Sequence, residues 1–290
     1  MVLGTAGSGK TTLAILRSAY LAKLTDPDKK VLLVIDEGQD FSPVMLQSLA
    51  LAIPENGSLT FFGDVAQQIY GGRISWRNAG LKVKKGEIWR FDQNYRNSKE
   101  IADLAIAISQ LPCFKKNVDL VAPKQPTASG PKPVLVEFHD EDIELDWVIQ
   151  SAITLAKSET VAILTRTREY IDLIIKTLRR ERVRTQKLHG DMNGWDSNPG
   201  ISVGTYHSAK GLEFDSVFIP YCNTDRIPSQ DRIVALEDRD EALSEEVKLI
   251  YVAVTRARRR LVLSFTGELT ELIPMDNKLY TKHKMEQIGR

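Results

Sequence analysis

A glycine-rich segment close to residue 1 has the composition of a phosphate-binding loop. The pattern G-x-x-x-x-G-K-[ST] is met by Gly4-Thr5-Ala6-Gly7-Ser8-Gly9-Lys10-Thr11. Glycines let consecutive backbone N–H groups point at phosphate oxygens, and the positive end of a following helix adds to the attraction. We expect Lys10 to neutralise the β- and γ-phosphates and the Thr11 hydroxyl to hold Mg²⁺. Together with Thr12, the segment predicts a site for ATP and Mg²⁺.

Two adjacent carboxylates follow an apolar run and could activate water. The run Val31-Leu32-Leu33-Val34-Ile35 leads directly into Asp36 and Glu37. An apolar strand that ends in acids places them at the carboxyl edge of a parallel sheet, where ligands bind. Taken alone the pair could be a polar turn. Beside a phosphate loop, we expect Asp36 to hold Mg²⁺ and Glu37 to orient and deprotonate the attacking water.

A fold must position these residues, and the chain alternates strand-like with helix-like segments. Near-continuous apolar runs are typical of parallel strands covered on both faces, so the alternation predicts an α/β fold. Strands are predicted at 31–35, 59–62, 88–91, 134–138, 161–165, 201–205, 217–221 and 261–265. Helices are predicted at 11–24, 43–51, 99–110, 143–156, 167–182 and 245–258. The proline-containing segment 111–133 is predicted to be a linker, and the polar segment 223–240 a surface loop.

Composition narrows the classes of function. The chain of 290 residues is 42% hydrophobic, has a net charge of +1, and has no apolar run of the roughly 18–20 residues that span a bilayer. Cys113 and Cys222 fit no metal-binding spacing, and no secretion signal begins at Met1. We therefore expect a cytoplasmic or nucleoid-associated protein without membrane contact. Nucleic-acid binding would need local patches, and the arginines within 179–184 and 256–260 are either such patches or solvated helix faces.

From Asp36 onwards, successive segments resemble motifs of the UvrD/Rep/PcrA group of superfamily 1 helicases. The family's D-E-x-Q-D motif is matched by Asp36-Glu37-Gly38-Gln39-Asp40. Its third and fourth motifs resemble Gly63-Asp64-Val65-Ala66-Gln67-Gln68-Ile69-Tyr70 and Asn94-Tyr95-Arg96. Its fifth is similar to 203–214 (VGTYHSAKGLEF), and its sixth to Glu245-Glu246 with 251–257 (YVAVTRA). The resemblance implies two RecA-like P-loop NTPase lobes with parallel sheets flanked by helices.

The third motif implies a sensor of the γ-phosphate and a surface for bases. By resemblance, the Gln67 amide senses the γ-phosphate, and Asp64 fixes its loop. The family uses aromatic residues here to stack DNA bases, which implies nucleic-acid contacts by Tyr70, Trp76 and Arg77. Stacking contributes about 1–3 kcal/mol per base and tolerates any sequence. Trp76 could instead be a core or interface residue.

The later motifs imply a second set of nucleotide and strand contacts. By resemblance, Tyr95 stacks on adenine, Arg96 touches the γ-phosphate, and Glu213 lies near the ribose. Arg256 resembles an arginine finger, which stabilises charge on the transferring phosphoryl group. Contacts with the nucleic-acid strand are implied for Thr205, His207 and Ser208, although His207 could be a structural histidine.

These roles imply a motor whose catalytic groups come from two lobes, at residues 1–93 and 94–290. Closure of the two lobes on ATP would complete the site, and hydrolysis would let the lobes reopen. If a nucleic-acid strand crosses both lobes, repeated closing and opening would move the protein along it. The resemblance therefore implies an ATP-dependent DNA translocase or helicase with DNA-stimulated hydrolysis, moving 3′ to 5′ on single-stranded DNA or at a junction with duplex.

The sequence also departs from the family. Only residues 12–35 separate Thr11 from Asp36, where the family has a further strand, a DNA-contacting motif and an inserted subdomain. The upstream glutamine that reads adenine and the large insertion before Thr205 are also missing. We therefore expect a compact or truncated helicase, with a protein partner as one source of the missing domains. The alternatives are a nucleotide-dependent switch or assembly factor that never unwinds, and an inactive fragment.

Overall fold

The computed structural model describes residues 2–4, 10–24, 31–54, 57–63, 89–91, 94, 96–114, 126, 128–189 and 196–285. The chain divides into two compact units. The first contains Met1–Arg96 and Lys116–Pro126, and the second contains Asn97–Lys115 and Thr127–Arg290.

The first unit is built on a parallel sheet of four strands in the order β2-β3-β1-β4. Its strands are β1 (Val2–Gly4), β2 (Leu32–Ile35), β3 (Ser58–Gly63) and β4 (Trp89–Phe91). Its helices are α1 (Lys10–Leu24) and α2 (Pro43–Ala52), and a 3₁₀ turn spans Gly38–Asp40. The register pairs Leu3 with Gly63 and Ile35 with Phe61. The carboxyl ends of β1, β2 and β3 therefore lie at the same edge of the sheet.

Local sequence explains where α2 begins and what holds the first unit together. The Ser42 hydroxyl accepts a hydrogen bond from the Met45 N–H at 3.2 Å, and Pro43 occupies the first helical position. A serine cap followed by proline is a strong helix start, because the capped N–H groups have no partner within the helix. Val2, Ala14 and Phe62 are buried in one apolar cluster. This cluster joins α1 to the two central strands of the sheet.

The second unit contains a parallel sheet of seven strands in the order β11-β5-β10-β9-β6-β8-β7. Every described ladder of this sheet is parallel. Its strands are β5 (Val134–Phe138), β6 (Thr160–Thr165), β7 (Thr185–Lys187), β8 (Gly200–Thr205), β9 (Phe214–Ile219), β10 (Ala257–Thr266) and β11 (Thr281–Lys284). Thr165 pairs with Thr205 at the carboxyl ends of β6 and β8. The segments that follow these two strands are therefore neighbours.

In the described part of the second unit, five helices accompany this sheet: α3 (Lys99–Ser109), α4 (Glu141–Leu155), α5 (Ile171–Arg180), α6 (Gln230–Leu236) and α7 (Arg239–Val254). α5 buries Ile171, Ile174, Ile175 and Leu178, the spacing of a helix with one apolar face. These side chains join α4 and strands β6, β8 and β9 in one apolar core. α3 packs against α7 and β10.

The predicted α/β class, with parallel sheets flanked by helices, is confirmed. The surface loop predicted at 223–240 is wrong in part, because α6 and the first residues of α7 lie within it. α6 spans only seven residues and buries none of them, and Asp238 caps α7 by accepting from Glu241 N–H. The helix predicted to reach residue 258 ends at Val254, since residues 257–260 belong to β10. Among the described residues, no helix is long and apolar enough to cross a membrane.

Candidate functional site

The phosphate-loop residues flank the start of α1 in the first unit. β1 ends at Gly4, which pairs with Phe91, and α1 begins at Lys10. Lys10 is buried, whereas Thr11 and Thr12 are exposed. Residues 5–9, and with them Thr5, Ala6, Gly7, Ser8 and Gly9, lie outside the described residues. The described part is a strand followed by a helix N-terminus, the arrangement that binds phosphate through backbone N–H groups.

Asp36 and Glu37 follow β2 at the same sheet edge. The Asp36 Oδ1 accepts a hydrogen bond from the Glu37 N–H at 3.0 Å, and Glu37 has a left-handed backbone with φ of 50°. A non-glycine residue with positive φ is uncommon and is often found at functional sites. β3 lies between the strand that carries these acids and the strand that leads to Lys10. The first unit thus gathers the predicted phosphate-binding and water-activating residues along one edge.

Gly38 fixes the path of the chain directly after the two acids. A Cβ built on Gly38 would lie 2.0 Å from the Phe61 ring, closer than any real contact. Phe61 is itself buried within β3. The close approach of Gly38 to this ring therefore ties the acid-bearing turn to the neighbouring strand.

The residues predicted to hold Mg²⁺ have suitable chemistry. Mg²⁺ in phosphate sites is bound by one or two side-chain oxygens together with phosphate oxygens and water. The Thr11 hydroxyl and the Asp36 carboxylate offer such oxygens at one sheet edge. Within the described ranges, no group of three or more His, Cys, Asp or Glu side chains forms a metal cluster. The two oxygens of Thr11 and Asp36 are the kind of donors that fit an ion shared with a bound triphosphate.

Residues of the third and fourth motifs lie partly outside the described residues. In and near the third motif, the residues outside the described ranges are Asp64, Gln67, Tyr70, Trp76 and Arg77. Tyr95 of the fourth motif is also outside them. Arg96 is described and half-buried, and its N–H donates to the Asn94 Oδ1 at 2.9 Å. This short-range bond is a local turn that asparagine commonly makes.

Arg256 is fully buried in the turn between α7 and β10 of the second unit. Its guanidinium donates to the carbonyl oxygens of Val252 at 2.9 Å and Leu212 at 3.3 Å, and to the Thr255 hydroxyl at 3.2 Å. Its own carbonyl accepts from the Phe214 N–H at 3.0 Å. Because Leu212 and Phe214 flank Glu213, the structure brings Arg256 beside Glu213. To reach a phosphate, this guanidinium would have to exchange bonds that it makes within its own unit.

Asn97 is a residue that sequence reasoning missed. It is buried, and its side-chain amide donates to the carbonyl oxygens of both Thr255 and Ala257. These two residues flank Arg256 on either side. Asn97 thereby fixes the turn that carries the predicted arginine finger. Its only sequence signal is its place directly after the N-Y-R motif.

Thr205 and Ser208 form a compact turn after β8. The Thr205 N–H donates to the Ser208 Oγ at 2.8 Å, and the Ser208 hydroxyl donates to the Thr205 carbonyl at 2.9 Å. A Cβ on Gly204 would lie 2.5 Å from the Ser208 Oγ. Both hydroxyl-bearing residues are half-buried and bonded to each other. The residues predicted to contact the nucleic-acid strand, Thr205 and Ser208, therefore lie in one turn at the carboxyl edge of the larger sheet.

His207 lies in the same turn in a charged environment. Burial lowers its pKa below 6.5, with Arg166 lowering it further and Glu246 and Glu245 opposing the change. A lowered pKa keeps the imidazole neutral at pH 7. A neutral imidazole can donate one hydrogen bond and accept another, but it does not form an ion pair with a phosphate group.

Arg166 and Glu246 form a buried ion pair that sequence reasoning also missed. Arg166 follows β6, and its Nε and Nη2 donate to the two carboxylate oxygens of Glu246 at 2.7 and 2.5 Å. Glu246 on α7 is fully buried. Two parallel bonds of this kind fix geometry as well as charge, and they raise the pKa of Arg166 against the effect of burial. The pair connects the carboxyl edge of the sheet to α7.

The second unit is similar to a known protein family. Residues 89–193 and 186–268 match the model described as the UvrD-like helicase C-terminal domain. Together the two segments cover more than half of the chain, and they include most of the second unit.

The chain is also similar to curated DNA helicases, at identities below 30% over most of its length. The chain is 26% identical over 247 residues to "Probable DNA helicase" of Mycoplasma pneumoniae, covering 80% of this chain and 42% of that protein. It is 29% identical over 253 residues to DNA helicase IV of Escherichia coli, covering 81% of this chain and 34% of that protein. It is 29% identical over 195 residues to the mitochondrial ATP-dependent DNA helicase HMI1 of Saccharomyces cerevisiae, covering 62% and 27%. The chain thus spans between about a quarter and two fifths of the length of these relatives.

Among solved structures, the C-terminal domain of a DNA helicase candidate from Lactobacillus plantarun WCFS1 aligns with a TM-score of 0.45 at 23% identity. That alignment covers 65% of this chain and 98% of the other.

Proposed function

This chain belongs to the UvrD-like helicase family, and from that membership we propose that it is an ATP-hydrolysing motor that moves along single-stranded DNA. The proposed direction is 3′ to 5′, with hydrolysis stimulated by the strand. One observation carries the proposal. The segment leading to Lys10 and the acids Asp36 and Glu37 lie along one carboxyl edge of a parallel sheet. That is the edge at which open α/β sheets bind ligands.

The proposed nucleotide site divides its work between these residues. Lys10 neutralises the phosphates, and backbone N–H groups at the start of α1 hold them. Thr11 and Asp36 supply oxygens to Mg²⁺, which when bound neutralises charge on the phosphates. Glu37 takes a proton from the attacking water, and the strained backbone at Glu37 supports a fixed position for its carboxylate.

We further propose that residues 1–93 and 94–290 are two RecA-like lobes that share the nucleotide. In this arrangement Tyr95 stacks on the base, and Arg96 and Arg256 approach the γ-phosphate. Glu213 approaches the ribose, which its position beside Arg256 supports. Gln67 reports loss of the γ-phosphate. Because hydrolysis removes the group that both arginines hold, each turnover weakens closure of the lobes.

The proposed strand path follows the carboxyl edge of the larger sheet. Thr205, His207 and Ser208 share one turn there, and the neutral state of His207 suits hydrogen bonding. Tyr70, Trp76 and Arg77 are proposed to contact bases from the other lobe. Single-stranded DNA is the proposed partner, and a further protein partner is proposed for strand separation.

A second candidate function is a nucleotide-dependent switch that binds ATP but does not translocate. The observation that favours it is the state of Arg256, whose guanidinium is buried and bonded to carbonyls of its own unit. An arginine that stays in this position organises the second unit and does not take part in hydrolysis.

Turnover of ATP with and without single-stranded DNA separates these functions. The motor predicts strong stimulation by the strand, and the switch predicts turnover that DNA leaves unchanged. Glu37→Gln should abolish turnover while ATP binding is retained. Glu181→Gln, the same substitution at an exposed residue of the second unit, serves as the control and should match the wild type. Full turnover in Glu37→Gln would overturn the proposed catalytic role.

A further inference from the structure

A groove of about 600 Å³ lies in the second unit where α5 packs against β7. The volume is within the range that ligand sites occupy in proteins. All of the lining residues belong to these two elements, and they are Asp172, Ile175, Lys176, Arg179, Arg180 and Lys187. The groove thus contains the first two arginines of the cluster at 179–184, for which the proposed motor has no use.

The groove carries an excess of positive charge. Lys176, Arg179 and Arg180 are exposed, and no described carboxylate forms an ion pair with any of them. Lys187 is paired with the carboxylate that lines the groove, since its Nζ lies 2.6 Å from the Asp172 Oδ1. The chain as a whole has a net charge of only +1, so this excess is a local feature. It favours a partner with negative charge at this one place.

Beside the groove, β7 forms an edge of the larger sheet in the described part of the chain. The Arg184 carbonyl accepts from the Ile201 N–H at 2.9 Å, and the Leu188 N–H donates at 2.8 Å to a carbonyl of β8. Because the direction of backbone groups alternates along a strand, those of Thr185 and Lys187 point away from β8. Outward backbone groups on an edge strand are a template with which another extended segment can pair.

These features favour a peptide over a nucleic acid as the partner. A peptide backbone can both donate to and accept from the outward groups of β7, whereas the oxygens of a phosphodiester only accept. Apolar contacts are available too, because Ile175 lines the groove and Leu173 on the same helix is 49% exposed. A polypeptide with acidic and apolar side chains would use all three kinds of contact.

We propose that the groove and the edge of β7 together bind an extended acidic segment of a partner protein. The segment adds to β7 as a further strand, and its carboxylates pair with Lys176, Arg179 and Arg180. Strand addition and the capture of acidic motifs by arginine clusters are both recurrent modes of peptide recognition. The groove has these properties whether or not the chain moves along DNA.

A synthetic peptide tests the role of charge. The probe is a fluorescein-labelled peptide of about eight residues that alternates glutamate with valine, and fluorescence anisotropy measures its affinity for the full chain at low salt. The same peptide with glutamine in place of glutamate should bind several-fold more weakly. The double variant Arg179→Gln with Arg180→Gln should weaken binding of the acidic peptide roughly 2- to 30-fold, the effect of losing two exposed ion pairs.

The matched control is Arg168→Gln with Arg239→Gln. It removes the same charge from two exposed residues outside the groove and should bind the peptide as the wild type does.

A proline substitution tests the role of the strand edge. Thr185→Pro removes an N–H that points away from β8, so the ladder within the sheet is retained. We expect the affinity for the peptide to fall roughly 2- to 10-fold through the loss of one hydrogen bond. Thr185→Val keeps the N–H and should bind normally. The arginine variants change only exposed side chains, so they test the inference even if proline at this position prevents folding.

Three results would overturn the inference. One is equal affinity for the glutamate and glutamine peptides, and another is equal affinity of folded Thr185→Pro and Thr185→Val for the acidic peptide. The third is a larger loss of affinity for duplex DNA than for the peptide when Arg179 and Arg180 are replaced, which would assign the groove to phosphates. ATP turnover that DNA leaves unchanged would count against the proposed motor and would leave the peptide result intact.

Discussion

The side-chain amide of Asn97 donates a hydrogen bond to the carbonyl oxygen of Thr255, 158 positions further along the chain. A second bond from the same amide reaches the carbonyl of Ala257. Between these two carbonyls lies Arg256, whose guanidinium is fully buried. One asparagine thus sets the backbone of the turn from which the predicted arginine finger extends.

Replacing Asn97 with alanine should therefore impair both stability and hydrolysis. Two buried carbonyls lose a donor, which we expect to lower the free energy of unfolding by about 1–3 kcal/mol. Because the turn carrying Arg256 then loses its support, ATP turnover should fall roughly 10-fold or more. Urea denaturation measures the free energy of unfolding. Steady-state ATP turnover is measured at a temperature well below the thermal unfolding midpoint.

Asn198→Ala is the matched control, since Asn198 is exposed and bonds only locally to Asp196 among the contacts described. It should change neither quantity. Normal turnover in Asn97→Ala at full folding would show that the turn is held without this amide.

The ion pair of Arg166 and Glu246 should show strong coupling. Glu246→Gln leaves a largely buried arginine without its counter-charge, and breaking such a pair costs about 3–5 kcal/mol. The double variant Arg166→Met with Glu246→Leu removes both charges, so its loss should be much smaller than the sum of the single losses. Urea denaturation of the wild type, Arg166→Met, Glu246→Leu and the double variant gives the coupling energy. Additive losses would mean that the two side chains stabilise the unit independently.

Stability of the second unit should depend on pH through His207. Its pKa in the folded chain is lower than 6.5, mainly because of burial. The unfolded chain therefore binds the proton more readily, so the contribution is complete above pH 6.5 and is lost as the pH falls through the folded pKa. The slope of the free energy of unfolding against pH should stay below about 1.4 kcal/mol per pH unit, which is the limit for one proton. Partial exposure of the ring screens the charges and lowers this slope further.

Unfolding midpoints in urea between pH 5 and pH 7.5 test this effect. His207→Gln should flatten the dependence, because it removes the titrating group and keeps the charged residues that act on it, Arg166, Glu246, Glu245 and Arg232. An unchanged profile in His207→Gln would assign the pH dependence to other groups.

Gly38→Ala should separate loss of stability from loss of catalysis. The added Cβ would meet the Phe61 ring at 2.0 Å, so the turn that carries Asp36 and Glu37 must move. Turnover should fall by at least 10-fold, with a loss of stability of about 1–3 kcal/mol. Gly267→Ala is the control, because Gly267 has φ of 79° and nothing within 4 Å of its added Cβ. It should lose about 1 kcal/mol through backbone strain and keep normal turnover.

The sequence was sufficient to predict those features that follow from local pattern. Apolar runs predicted β5 at its observed bounds and β6, β8 and β9 within a few residues, because each is a largely buried parallel strand rich in apolar residues. The edge strands β7 and β11 were missed, since both are short and polar. α6 was missed because it spans only seven residues, which is too short for an apolar period to be recognised.

In the candidate site, too, residues with a local sequence signal were predicted and residues with distant partners were not. A glycine pattern and an apolar run before two acids are local signals, and they identified Lys10, Asp36 and Glu37 as candidates. Asn97 and Arg166 escaped because their partners lie 158 and 80 positions away, and nothing in either neighbourhood specifies such a partner. The left-handed backbone of Tyr221 was not predicted either, because residue type alone does not indicate it at a tyrosine.

The order of strands in the larger sheet has a consequence for synthesis. β5 ends at Phe138, but its two neighbours are β10, which begins at Ala257, and β11, which begins at Thr281. A nascent chain must therefore carry an apolar strand without a ladder partner until more than a third of the polypeptide has followed it from the ribosome. Such distant pairing slows folding and exposes the segment to aggregation. We therefore expect chaperones to bind the growing chain between these two points.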